Sequence, residues 1–258
     1  MYALVTGASS GIGLQYATEL ARQKYDLLLV SNQEKEIAET AETLASQYGV
    51  QTIGLYKDLS SGNAAEELLA YCQENHLQID ILINNAGVFF FNEYTKTDMK
   101  RIELMLDLHV KTVSKMCRLF GEEMKKRQSG YILNMSSMSA WMAMPGISVY
   151  NATKAYILNF SKSLWYEMEP YNVGVTAICP GAVDTGLYGL SDYWRKVAVA
   201  IGVSMKPETL AKKALKKMFQ KKKQYLPGWI NHLFVPLIKH LPDWFILFII
   251  KKIDKFQK

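Results

Sequence analysis

Tyr150 stands four residues before Lys154 in the run SVYNATKAYIL, residues 148–158. Positions i and i+4 of a helix share a face, so the phenol and the ammonium lie side by side. A phenol ordinarily ionises near pH 10, too high to trade protons at neutral pH. A cation one turn away favours the phenolate and brings the group toward a useful range. With 15 tyrosines and 25 lysines in the chain, about 1.5 such spacings are expected by chance. The pair gains meaning from its surroundings. Ser137, 13 residues earlier, carries a hydroxyl suited to hydrogen-bonding an oxygen on which charge develops. Its neighbour Ser136 is expected on the opposite face by strand alternation.

A second chemistry sits at the start of the chain. The stretch TGASSGIG, residues 6–13, follows an apolar run and opens a helical one. Gly7 permits a tight turn, Gly11 lets backbone approach a pyrophosphate, and Gly13 lets the helix pack on the strand. Ser9, Ser10 and Ile12 complete this loop, whose free N–H groups at a helix N-terminus suit phosphate. The second apolar run ends at Ser31-Asn32, with Lys35 shortly after. An acid at this tip favours NAD; hydroxyl, amide and ammonium instead donate to a 2′-phosphate. The tip therefore favours NADP(H) over NAD(H); the other reading is an ordinary turn in a protein that accepts both.

The elements that must hold these groups alternate. Strand candidates are 2–6, 26–30, 51–56, 79–84, 131–135 and 173–179, with QYLPG as a last one. Their continuous apolar character suits strands buried on both faces. Helical patterns lie at about 12–24, 34–48, 63–76, 97–127 and 149–169. The pattern predicts an α/β fold, a doubly wound Rossmann-type sandwich with a parallel sheet of about seven strands.

Six motifs, in order, resemble the short-chain dehydrogenase/reductase family: TGASSGIG (6–13), KDLS (57–60), NNAG (84–87), LNMSS (133–137), YNATK (150–154) and PGAVDT (180–185). The resemblance implies a catalytic set of Ser137, Tyr150 and Lys154, with Lys154 also holding the nicotinamide ribose. It places Asp58 and Leu59 at the adenine. Asn84, Ala86 and Gly87 would line the cofactor. Pro180, Gly181, Val183 and Thr185 would lie at the carboxamide. The family has an asparagine where this chain has His109, and that asparagine helps carry a proton-relay water to the lysine. Histidine donates and accepts, so it can substitute; the other reading is a histidine packed under the helix. On the relay reading, His109→Asn keeps most activity and changes the pH profile. The family also implies a homodimer or homotetramer.

Charge is unevenly spread. Residues 206–258 hold 13 lysines against Glu208, Asp243 and Asp254, a net of +10, which leaves −4 of the chain's +6 for the remainder. The body is therefore not a nucleic-acid binder. Cys72, Cys117 and Cys179 are too dispersed for a metal site or a disulfide framework. The opening MYALVTG reads as a strand and not a leader, so a cytoplasmic location is expected.

The stretches 88–91, 138–146 and 186–205 are rich in Trp, Tyr, Phe and Met. They suit a bulky apolar ketone or alcohol, or else pack the core or a dimer contact. The expected domain is 1–228, with a substrate loop at about 186–206 and a C-terminal helical extension at 229–258. The helix at 207–222 has an apolar stripe of Leu210, Ala211, Ala214, Leu215, Met218 and Phe219. In the extension the longest apolar run, Trp244–Ile250, has seven residues, whereas a span needs about 20. It is a lid, a subunit interface or a peripheral contact on the inner membrane face. The expected reaction is NAD(P)-dependent interconversion of a ketone and a secondary alcohol, with a long-chain 3-oxo lipid as substrate (3-oxoacyl or 3-keto sphingoid). A hydroxysteroid is the alternative substrate. A non-catalytic dinucleotide-binding or membrane-docked protein is the alternative of another class.

Overall fold

The computed structural model describes residues 1–184, 204–239 and 242–250. Strands β1 (Tyr2–Thr6), β2 (Asp26–Ser31), β3 (Thr52–Tyr56), β4 (Ile79–Asn84), β5 (Gly130–Met135) and β6 (Val173–Ile178) build the sheet. β7 (Ala182–Val183) and β8 (Ser204–Met205) pair separately, and β9 (Gln224–Tyr225) closes the main edge. The sheet order is β3-β2-β1-β4-β5-β6-β9, and every pairing is parallel. This is the doubly wound Rossmann-type sandwich with seven strands.

Strand β2 shows why the sheet is covered twice. Leu27 and Leu29 enter one core, while Leu28 and Val30 enter the other. All four are fully buried. Each such side chain contributes roughly 1.5–3 kcal/mol of burial before the entropy of ordering is set against it. On the first face lie α1 (Gly11–Arg22), α2 (Glu34–Tyr48) and α7 (Pro207–Phe219). In α2, Ile37, Ala41 and Leu44 form the buried stripe. Glu34 and Glu36 complement the positive end of the helix dipole, and Gly49 closes the helix in the left-handed region. α7 buries Leu210, Ala211, Ala214, Leu215 and Met218, as its pattern predicts, with Phe219 partly buried beside them.

The second face carries α3 (Ala64–Glu74), α4 (Met99–Leu106), α5 (Val113–Arg127) and α6 (Ser148–Met168). The single helix expected over 97–127 is in fact three pieces. A π-helical segment, Asp107–Thr112, lies between α4 and α5 and carries His109. Such widened turns insert an extra residue and re-aim the side chains on either side. Hydrophobic periodicity does not reveal them, because the apolar stripe resumes after the insertion.

Two further helices, α8 (Trp229–Lys239) and α9 (Asp243–Ile250), follow β9. α8 packs on the short 3-10 turn Met138–Trp141. The Asn231 side chain lies where a Cβ on Gly181 would come within 2.8 Å. No helix among the described residues is long and apolar enough to cross a membrane. All three cysteines are free and buried, and burial pushes each thiol up to about 12.

Candidate active site

A cleft of about 700 Å³ opens along the C-terminal ends of the strands, where the strand order reverses between β1 and β4. One end is the glycine turn. Gly7 has φ of +64°, a left-handed conformation that side-chain-bearing residues disfavour. Asn85 Nδ2 donates to the carbonyls of Thr6 and Gly7, at 3.0 and 3.3 Å, which fastens the turn to the end of β4. A Cβ on Gly13 would sit 2.0 Å from the Gly7 oxygen, so only glycine lets α1 start this close to the turn. Ser9, Ser10, Gly11 and Ile12 line the cleft beside them.

At the tip of β2, the Ser9 and Ser31 hydroxyls are 2.8 Å apart, and Gln33 N donates to Ser31 Oγ at 3.1 Å. Asn32 and Gln33 line the wall. Lys35 does not; it lies on exposed α2, 3.8 Å from Glu39. Lys57 takes its place in the lining, paired with Glu67 at 2.8 Å. Asp58 and Leu59 follow on the same wall.

Beyond β4 the lining is Asn85, Ala86, Gly87 and Val88. Asn84, expected there, faces inward instead. Its Nδ2 donates to Asn134 Oδ1 at 2.8 Å, and Asn134 Nδ2 donates to Ser161 Oγ at 2.9 Å. This buried polar chain ties β4, β5 and α6 together. Asn84 is the last residue of β4 and points into the core, whereas Asn85, one past the strand end, takes the cleft.

At the far end stand Ser137, Tyr150 and Lys154, each under a tenth exposed. Tyr150 and Lys154 lie on one face of α6, with Lys154 Nζ 5.4 Å from the Tyr150 ring centre. Lys154 Nζ donates to the Met135 carbonyl at 2.8 Å. Burial lowers its ammonium to about 7. Ser137 Oγ accepts from Ser139 N at 3.1 Å, which directs the hydroxyl's own proton elsewhere. Ser136 does not turn away from the cleft. β5 ends at Met135, so strict alternation no longer governs the two serines. Ser136 lines the cleft, and its Oγ donates to the Lys154 carbonyl at 2.7 Å.

His109 reaches the same end, 1% exposed. Its Nε2 accepts from Val88 N at 3.1 Å, and its Nδ1 lies 3.0 Å from Thr153 Oγ1. Burial, and then the nearby Lys154 charge, hold its imidazole well below the usual histidine range. Phe89 meets the Tyr150 ring edge-on at 5.0 Å, and Arg101 lies over Phe90 at 4.8 Å.

Pro180, Gly181 and Val183 close the cleft. Thr185 and most of the expected substrate loop (about 186–206) lie outside the described residues. Asn85, Gln33 and Lys57 were not anticipated. Asn85 and Lys57 each had a signal, their places in NNAG and KDLS, and Gln33 had none.

The donor set fits a dinucleotide. A left-handed glycine turn, a helix N-terminus and a hydroxyl-lined strand tip run into a tyrosine–lysine–serine end. The matching family is short chain dehydrogenase, over residues 1–195. The chain belongs to that family. It is 31% identical over 190 residues to Probable oxidoreductase EphD of Mycobacterium tuberculosis (strain ATCC 25618 / H37Rv). That match covers 73% of this chain and 32% of EphD, so the chain spans about a third of that relative's length. It is 29% identical over 259 residues to Very-long-chain 3-oxoacyl-CoA reductase of Homo sapiens, covering 98% of this chain and 80% of the relative. Among solved structures, a short-chain dehydrogenase from Sphingobium yanoikuyae in complex with NADPH superposes with a TM-score of 0.80 at 26% identity. That superposition covers 100% of this chain and 98% of the other.

Proposed function

We propose that the protein is an NAD(P)(H)-dependent oxidoreductase that interconverts a ketone and a secondary alcohol on a bulky apolar substrate. The observation that carries this reading is the meeting of Ser137, Tyr150 and Lys154 in the same cleft as the glycine turn. The nicotinamide coenzyme, when bound, supplies or accepts the hydride. Tyr150 gives its phenolic proton to the carbonyl oxygen on reduction and takes it back on oxidation. Ser137 donates to the same oxygen, and this bond strengthens as negative charge grows there. Lys154, held against the Met135 carbonyl, provides charge beside the phenol and a donor for the coenzyme ribose.

NADP(H) is the favoured coenzyme. The wall at Ser9, Ser31, Asn32 and Gln33 presents hydroxyls and amides that donate to a 2′-phosphate, and the carboxylate further along it, Asp58, accepts from Ser60 N and Oγ at 2.9 and 2.7 Å. The substrate best matched is a long-chain 3-oxo lipid. Phe89 against Tyr150, with Leu104 and Leu108 in the wall, makes the approach apolar. The long-chain oxoacyl substrate named for the human relative supports the same class. The exposed apolar side chains of α8 and α9, beside a lysine-rich segment, are a peripheral membrane contact through which such a lipid is presented. The working unit is a homodimer or homotetramer, and the protein resides in the cytoplasm.

The test is a screen of 3-oxoacyl thioesters, 3-keto sphingoid bases and oxosteroids with NADPH and NADH, following coenzyme absorbance, with Tyr150→Phe as control. Turnover of a 3-oxo lipid with NADPH is expected, at least a hundredfold lower in Tyr150→Phe. A steroid preference replaces the substrate. Full activity in Tyr150→Phe ends the proposal.

A further inference from the structure

His109 has no nitrogen left for water. Val88 N–H donates to Nε2, so that nitrogen carries the lone pair. The ring proton therefore sits on Nδ1 and points at Thr153 Oγ1, 3.0 Å away. The Thr153 hydroxyl in turn donates to the Tyr150 carbonyl at 2.8 Å. The three bonds run in one direction, from the loop after β4 through the imidazole and the hydroxyl to the backbone of Tyr150. A second proton on the ring would put Nε2–H against Val88 N–H. The titratable groups facing the ring are Tyr150, whose ring centre is 5.9 Å away, and Lys154. The Lys154 charge opposes a second positive charge on the ring.

Two features show that the loop is shaped around this ring. A Cβ on Gly87 would lie 2.6 Å from Nε2, so the loop approaches the ring only as glycine. The π-helical segment Asp107–Thr112 carries the ring to its place between the loop after β4 and α6.

We propose that His109 and Thr153 form a fixed strut that ties the cofactor-side loop at Val88 to the helical turn bearing Tyr150, making both positioning residues rather than carriers of the proton. The proposal rests on the reading of Tyr150 as the proton donor, and it replaces the expectation that His109 supports a relay. In this arrangement the strut sets the height of the phenol over the cleft. Small displacements of a reacting group cost large factors in rate.

Two measurements test it, and one needs no substrate. Nitrogen-15 NMR of the imidazoles in the coenzyme-free protein separates the chain's four histidines, with His109→Asn identifying the signal. The expected result is a neutral ring protonated at Nδ1 throughout pH 6–8, with a changed Nδ1 environment in Thr153→Val. A ring that titrates in that window, or one protonated at Nε2, overturns the proposal whatever the substrate proves to be. The second measurement is kinetic. Thr153→Val, nearly isosteric, is expected to lower kcat about tenfold while coenzyme affinity stays within about twofold. Thr153→Ser, which keeps the hydroxyl, restores the rate. Combining Thr153→Val with His109→Phe costs no more than His109→Phe alone, because either change cuts the same strut. Additive losses, an undiminished kcat in Thr153→Val, or an ionisation in the kcat–pH profile that vanishes in His109→Asn overturns it.

Discussion

Burial of Lys154 carries a stability penalty. Its side chain is buried, and loss of solvent brings its ammonium from 10.5 in the unfolded chain to about 7. Between these values the unfolded state holds a proton that the folded state has released. Stability then rises with pH, by about 1.4 kcal/mol per unit from this group. Below pH 7 both states are protonated and the penalty is constant. Denaturant unfolding of the coenzyme-free wild type and Lys154→Met at pH 7, 8 and 9 checks this. The wild type should gain on the variant at each step, and parallel curves would contradict it. The tyrosine–lysine pair was legible from spacing alone, because i, i+4 geometry is a property of the helix itself. The roles of Ser136 and Asn85 were not. Which way each faces depends on where β5 and β4 end, and a strand end moved by one residue exchanges the two faces.

At the scale of elements, the contact between the glycine turn and α1 leaves the least room. Gly13→Ala would place a methyl 2.0 Å from the Gly7 oxygen, with backbone and not a flexible side chain as the obstacle. A loss of about 2–3 kcal/mol is expected, together with weakened NADPH binding. Thermal unfolding and fluorescence titration with NADPH would read both, and an unchanged midpoint would count against this packing. The strands and helices were largely legible because each face of the sheet is apolar and the turns between are punctuated. β2, with Leu27 and Leu29 on one side and Leu28 and Val30 on the other, is the plainest case. The π-helical segment was illegible for a different reason. The ring of His109 that it carries finds its partners, Val88 and Thr153, 21 and 44 residues away.

Across the whole molecule, charge and apolar surface concentrate at the C-terminal end. Leu233, Leu237, Trp244, Leu247 and Phe248 are all more than half exposed. Vesicles containing phosphatidylglycerol should therefore pellet the protein at low salt. Pelleting should fall in 1 M NaCl, where the screening length shrinks from about 10 Å to about 3 Å. Trp244→Glu should weaken it at any salt, and no pelleting under either condition rejects the contact. The sequence marked this segment by composition, but its packing on the turn after Ser137 and on Gly181 is a long-range contact that no local pattern encodes. The three deeply placed thiols have a consequence of their own. Each of the three thiols is kept protonated and walled off, so a disulfide in the surroundings meets no accessible thiolate on the native fold. The cysteines are thereby withdrawn from thiol–disulfide exchange for as long as the fold is intact.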